Sequence, residues 1–369
     1  MKLMKTTEAV GQVLCHDITQ IIPGVKKDAV FRKGHIITKE DIPVLLSVGK
    51  DTIYIWENDE TMMHENEAAE VLYRMSACGT NSNETDGERH CEAAESGAFG
   101  GTKSKMHPSP VKEGKIEVIA DCDGLLKVDS EKLKKVNSFG EMMIATRHGN
   151  TTVKKGDKLA GTRIIPLVIK KDKLEAASHI CDDGPILDIK PFVVRKAAII
   201  TTGNEVFHGR IQDAFTPVIE KKIAEFGAQM MFHEVFDDDD QKITDGCLRA
   251  IEAGAEIVFC TGGMSVDPDD KTPLAIKNTG ARIVSYGSPV LPGAMFLLSY
   301  YDAGDRLVPI CGLPGCAMYN KRTIFDIVLP RLMACDMILA DELAGLGEGG
   351  LCLNCDVCTF PNCGFGKGF

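Results

Sequence analysis

The chain has 369 residues, 44% hydrophobic, 26% charged and 6% aromatic, with a formal net charge of −11. The acidic balance argues against nucleic acid and anionic membranes as partners, which need basic patches, but not against a phosphorylated ligand held locally by backbone N–H groups. No apolar run reaches the ~18 residues of a membrane span, and MKLMKTTEAVGQVL at the start holds no signal-peptide core, so the cytoplasm is the expected location.

The length predicts two or three domains. Residues 1–58 carry strand-like runs around a helix expected over 38–49, with Thr38 as its cap, Asp41 three residues later and Gly49 at its end. Residues 52–56 are β-branched and aromatic and read as a strand; Trp56, the only tryptophan, is assigned to packing. A helix over 65–77 closes an N-terminal segment, 1–78, that packs with the core. Residues 79–110 are rich in Gly, Ser, Asn, Thr, Glu and Pro with almost no apolar period, and read as a flexible insertion or linker. Short β segments return at 116–120, 124–128, 142–146 and 163–169, a β-rich domain over 111–194.

From 195 to 338 strands and helices alternate. Strands are predicted at 197–201, 229–235, 256–260, 282–286 and 307–311, and helices at 216–226, 241–253, 271–279 and 320–332. In the last helix Ile324, Ile327, Val328 and Leu332 recur at helical spacing. This alternation predicts an α/β domain, a mostly parallel sheet with helices on both faces, preceded by the smaller β-rich domain.

The loops that follow the strands carry the chemistry. They are Thr202-Gly203-Asn204-Glu205, the run Asp237-Asp238-Asp239-Asp240, Gly262-Gly263-Met264-Ser265 followed by Asp267, Asp269 and Asp270, and Gly312-Leu313-Pro314-Gly315. Such loops gather on one edge of an open α/β sheet. Glycines there let a ligand approach and bare N–H groups that hold a phosphate; the acids suit Mg²⁺. Part of the four-Asp run is also what a solvated turn capping the next helix would contain.

The stretch 197–335 resembles the molybdopterin-binding domain shared by molybdopterin molybdenumtransferase and the gephyrin C-terminal region. The matching pieces are TTGNEV at 201–206 followed by Gly209 and Asp213, FDDDD at 236–240, TGGMSVDPDD at 261–270 and CGLPG at 311–315. Residues 34–56 are more weakly similar to the segment preceding that domain. The resemblance implies insertion of molybdate into adenylated molybdopterin with Mg²⁺ and release of AMP. It makes Glu205, Asp237 or Asp238, and Asp270 the functional carboxylates, with Asp237 and Asp270 as Mg²⁺ ligands. It assigns Thr202, Gly203, Gly262, Gly263, Ser265, Pro314 and Gly315 to the pterin or its phosphate. It also implies a homodimer. The chain departs from the pattern in three places. Pro292-Gly293-Ala294-Met295 lacks the family's lysine, Leu313-Pro314-Gly315-Cys316-Ala317 lacks an Asn and a second Pro, and Asp267 replaces a glycine. These departures favour an alternative, a non-catalytic carrier or sensor of finished molybdenum cofactor that delivers it to an apo-molybdoenzyme.

Of fourteen cysteines, ten are scattered, and those within apolar runs, such as Cys260 and Cys311, are expected to be small buried hydrophobes without disulfides. The other four, Cys352, Cys355, Cys358 and Cys363, are spaced CxxCxxCxxxxC in a Gly/Cys-rich tail, 339–369. Four thiolates that close in sequence suit a [4Fe–4S] cluster or Zn²⁺, and the glycines at 345–350 predict a flexible tether. The nine histidines show no metal spacing; His64, His90, His107 and His148 are assigned to the surface.

Overall fold

The computed structural model describes residues 2–22, 26–55, 59–79, 105–265, 267 and 270–368. The chain divides into two units: Met1–Asp121, Val128–Arg147 and Lys155–Asp188 form one; Cys122–Lys127, His148–Lys154 and Ile189–Phe369 form the other. Among the described residues no helix is long and apolar enough to cross a membrane.

In the first unit, helix Glu65–Ala77 packs on a four-stranded antiparallel sheet ordered Met106–Pro108, Lys115–Ala120, Lys158–Ile164, Met142–Thr146. KIEVIA alternates between buried Ile116, Val118 and Ala120 and more exposed neighbours, so one sheet face takes the helix, which brings Leu72 and Met75 fully buried. The strand at Met106–Pro108 lies in the stretch expected to be a linker; residues 80–104 of that stretch, with His90, and also Trp56, lie outside the described residues.

Three local expectations need correction. The early helix is shorter, Asp41–Ser47, and Thr38 offers its backbone N–H rather than its hydroxyl, donating to Asp41 Oδ2 at 2.8 Å. The strand expected at 163–169 is two strands, Lys158–Ile164 and Val168–Lys170, because Pro166 between them has no N–H for a ladder. Helices Ser130–Ser138 and Lys171–Ser178 were not anticipated: each buries only one or two side chains (Val136; Leu174 and Ala177), so the apolar period is faint.

His64 is not a surface residue but is 4% exposed. Its Nδ1 accepts from the Asn66 N–H at 3.2 Å, capping helix Glu65–Ala77, and its Nε2 lies 3.1 Å from the Cys15 carbonyl. Both bonds need the neutral ring. Burial lowers the His64 pKa, assisted by the Lys33 charge, against the opposing Cys15 hydrogen bond and Glu67 charge. A depressed folded pKa gives stability that is full above the unfolded value of ~6.5 and is lost as pH falls below it. We expect His64→Ala to cost about 1 kcal/mol and to flatten the fall in melting temperature between neutral and mildly acid pH.

The second unit is built on a six-stranded sheet. Its elements are β1 (Lys196–Thr202), α1 (Asn204–Phe207), α2 (Phe215–Ala224), β2 (Gln229–Phe236), α3 (Asp240–Glu252), β3 (Ile257–Thr261), α4 (Thr272–Asn278), β4 (Arg282–Tyr286), β5 (Leu297–Asp302), β6 (Leu307–Leu313), α5 (Ile324–Met333) and α6 (Ala340–Gly345). The order is β2-β1-β3-β6-β5-β4, with β2, β1, β3 and β6 parallel and β5 antiparallel to both its neighbours. Alternate residues feed two cores. Ile199, Phe259 and Cys311 pack with α2 and α5 through Ile219, Phe325 and Leu332. Ile200, Cys260 and Ile310 pack with α3 and α4 through Ile243, Cys247 and Ile276. The α/β architecture expected from the sequence is therefore present, and Cys260 and Cys311 are the buried hydrophobes they were read as. The last helix begins at Ile324 rather than 320, because Thr323 and Asp326 form a capping box; a short 3₁₀ turn, Gly315–Met318, precedes it.

The tail is not a free tether. Leu291 N–H donates to the Gly350 carbonyl and Cys352 N–H to the Leu291 carbonyl, both at 2.8 Å. Phe365 is buried in the α2/α5 core, with Phe360, Cys352 and Cys363 packed against it. Glycine composition signals backbone freedom, but two aromatic anchors remove that freedom once a core exists to receive them.

Candidate functional site

The first strand of this sheet, β1, has the second strand on one side and the third on the other, so the strand order reverses between β1 and β3. At such a switch point the loops leaving the carboxyl ends part company and open a crevice, where α/β sheets bind ligands. Since β4 is antiparallel to β5 and β5 to β6, β4 runs with the parallel strands and its last residue, Tyr286, reaches the same edge.

The loops after β1 and β2 are joined: Gly203 N–H donates to the Phe236 carbonyl and Asn204 N–H to Asp238 Oδ2, each at 3.2 Å. The loop after β3 lies hard against β1. Gly262 has φ +85°, and a Cβ there would lie 2.1 Å from the Thr202 carbonyl oxygen; one on Gly263, φ +53°, would lie 2.9 Å from Thr272 Oγ1. Both the conformation and the space demand glycine. Thr202 and Thr272 clasp this turn, their hydroxyls 3.0 Å apart, with the Thr261 and Gly262 carbonyls as acceptors at 3.1 and 2.9 Å. The chain then crosses the end of β6: Met264 is buried over Gly312, where a Cβ would meet its Sδ and Cε at 2.5 Å. The crossing ends at Tyr286, whose hydroxyl donates to the Met264 carbonyl at 3.2 Å, with the Ser265 carbonyl at 3.5 Å. Ser265 is exposed.

Thr202, Gly203, Gly262, Gly263 and Ser265 are thus assembled along one edge, and Pro314 and Gly315 follow β6 on that same edge. Gly315 is exposed with open space where a Cβ would stand. The acids are dispersed along the edge rather than converging. Asp237 is ion-paired to Lys242 Nζ at 2.8 Å. Asp239 caps α3, accepting from Gln241 and Lys242 N–H groups at 3.0 and 3.1 Å, and Asp240 Oδ2 accepts from Asn278 Nδ2 at 3.1 Å. All four consecutive aspartates therefore have partners within the protein, and one of them, Asp239, is the helix cap that a capping turn predicts. Asp270 accepts from the Asp267 N–H at 3.2 Å, Glu205 is exposed, and Asp269 lies outside the described residues.

Among the described residues no three His, Cys, Asp or Glu side chains come together as a metal-ligand set. The carboxylates as placed do not fit Mg²⁺, and Cys352, Cys355, Cys358 and Cys363 as placed do not fit a four-thiolate centre. Cys358 nevertheless ionises more readily than an ordinary thiol. The Phe360 N–H hydrogen bond, followed by the Arg322 hydrogen bond and charge, lowers its pKa against slight burial.

Sequence reasoning gave no role to three contributors. Asp213 is one: Thr201 Oγ1 donates to it at 2.9 Å, Thr216 Oγ1 at 2.6 Å, and the Phe215 and Thr216 N–H groups at 2.8 and 3.0 Å. Burial would raise its pKa, but these bonds together lower it. It pins the start of α2 to the end of β1. Thr272, the clasp, sits two residues past Asp270, and Tyr286 closes a strand whose direction only the topology reveals. The Thr261 hydroxyl, at the end of β3, is fully buried and has no hydrogen-bond partner.

Comparison with known proteins bears on the second unit. Residues 198–334 match the family described as "Probable molybdopterin binding domain", and residues 3–57 match a "Domain of unknown function (DUF8806)". A Bacillus velezensis protein named "Putative competence-damage inducible protein" is 29% identical over 90 residues, 24% of this chain and 21% of its own length. The molybdopterin molybdenumtransferase of Staphylococcus epidermidis is 27% identical over 146 residues, 36% of this chain and 34% of its own length. The chain thus spans between about a fifth and a third of these relatives. Among solved structures, the tungsten cofactor synthesizing protein MoaB from Pyrococcus furiosus is 19% identical, with a TM-score of 0.34 over 38% of this chain and 94% of that one. On the sequence match, with the glycine-loop geometry beside it, residues 198–334 form a domain of the molybdopterin-binding family.

Proposed function

We propose that this domain binds molybdopterin by its phosphate along the sheet edge and that the protein serves molybdenum cofactor biosynthesis. The single observation that carries the proposal is the turn Gly262–Ser265, clamped at the switch point and free of side chains at its first two residues. Its N–H groups, with the Ser265 hydroxyl, are donors for a phosphate that an acidic chain needs to bind without a large basic surface. Exposed Gly315 leaves room at the neighbouring strand end.

The fuller form of the proposal is molybdate insertion into adenylated molybdopterin with release of AMP, with Glu205, Asp237 or Asp238, and Asp270 as the acting carboxylates. Adenylated molybdopterin, molybdate and Mg²⁺ supplied together should yield one AMP per molybdopterin consumed, and Asp270→Asn should slow that release by about a hundredfold. Folded protein that binds the substrate and releases no AMP would reject the transferase.

Two observations favour the carrier reading: Asp237 is held by Lys242, and the turn at Pro292–Met295 offers no lysine. A carrier would bind finished molybdenum cofactor equally well as wild type and as Asp270→Asn, without turnover, and pass it to an apo-molybdoenzyme. A homodimer in the cytoplasm belongs to the same proposal, and a [4Fe–4S] or Zn²⁺ tail would require the four cysteines, which do not come together as placed, to close on the metal. Purification without air followed by metal analysis tests the tail: four freely alkylated thiols and no bound metal would remove that part.

A further inference from the structure

Tyr286 is a large aromatic side chain, 47% exposed, at the end of β4. Surface tyrosines ordinarily lay the ring on the protein and turn the hydroxyl to water. Here the arrangement is inverted. The hydroxyl is turned inward to the Met264 and Ser265 carbonyls, and the ring is left open beside the phosphate turn. The pairing register shows why the two meet. Tyr286 lies opposite Leu297, Leu297 opposite Gly312, and Gly312 opposite Cys260, a single row across four strands. Directly opposed residues share a face, so Tyr286 stands on the face over which Met264 crosses Gly312. Burial of the phenol, with the Asp270 charge nearby, raises its pKa and keeps it a donor. The ring is thus tethered at its far end, half bare, and beside the donors proposed for the phosphate.

Resting on the molybdopterin reading above, we propose that the Tyr286 ring is the platform on which the flat pterin of the ligand stacks while its phosphate lies on the Gly262–Ser265 turn. Pterins are planar heteroaromatics, and stacking on a preset ring is sequence-tolerant and costs little ordering because the tether has already fixed the ring. The hydroxyl serves only to hold the ring in place.

The test uses the full chain and a fluorescent, oxidised 6-alkylpterin carrying a terminal phosphate, titrated against wild type, Tyr286→Phe and Tyr286→Leu, with the thermal midpoint of each recorded. Wild type should bind and quench the probe. Tyr286→Phe should bind within about twofold of wild type, and Tyr286→Leu about tenfold more weakly, with the quenching lost. Equal weakening by both variants would make Tyr286 a buttress of the turn and overturn the platform, as would unchanged binding and quenching in Tyr286→Leu. Wild type that binds neither this probe nor molybdopterin would take down the molybdopterin reading itself, a result distinct from either of those.

Discussion

Gly262→Ala is expected to lower stability by about 2–5 kcal/mol and to abolish pterin binding. Two costs add. A non-glycine residue at φ +85° carries ~1–2 kcal/mol of backbone strain. The new methyl would lie 2.1 Å from the Thr202 carbonyl oxygen, a backbone atom at the end of β1 held in place by the pairing of Thr202 with Phe236. Relieving that overlap means parting the β3 turn from β1, at about 1–3 kcal/mol. Gly315→Ala is the control: it has no positive φ and open space around it, so stability should stay within ~0.5 kcal/mol. Urea unfolding measures both. An unchanged midpoint for Gly262→Ala would mean that the turn is not clamped at the switch point, and the site geometry would fall with it.

Asp336→Ala should be comparably severe, for a different reason. Asp336 is 5% exposed and accepts from Lys127 at 2.8 Å, from Arg331 Nε at 2.6 Å, and from Lys190. Arg331 is itself 9% exposed and also pairs with Glu342 at 2.8 Å. Deleting the carboxylate leaves a buried guanidinium and two lysines facing one another, a loss of about 3–5 kcal/mol. Burial alone would raise the Asp336 pKa, but hydrogen bonds from Lys127 and Lys190 and the charge of Arg331 bring it down to about 2. The folded value is depressed, so the stabilisation is complete above the unfolded value of ~3.9 and disappears as pH falls from there toward 2, roughly 2–3 kcal/mol in all. Asp336→Asn should remove that acid-side slope. A mutant that keeps the wild-type slope over this window would show that other carboxylates carry it.

The elements legible in the sequence are those whose burial is periodic over a full stretch. ENEAAEVLYRMSA places Ala68, Ala69, Leu72, Tyr73, Met75 and Ser76 on one inward side, and the helix runs over the residues expected of it, Glu65–Ala77. IVFCT is buried throughout, as a central parallel strand must be, and ends at two glycines. By contrast β5, LLSYYD, follows a run of apolar residues with no alternation to separate a strand from the loop before it. His64, read as a surface histidine, is a buried cap because the Cys15 carbonyl, 49 residues away in sequence, meets a ring already placed at the start of helix Glu65–Ala77.

The sequence by itself determined which loops could hold a phosphate, because Gly262 and Gly263 are chemical requirements of a backbone at positive φ and leave their mark at single positions. It also determined the alternation of strand and helix, since hydrophobic period is local. Only the tertiary structure decided that the switch point falls between β1 and β3, that the cysteine tail lies on the α2/α5 core, and that Tyr286 arrives at the Gly262–Ser265 turn. Each of these depends on which strand lies beside which. Strand order is settled by the summed packing of two cores and not by any residue's own preference.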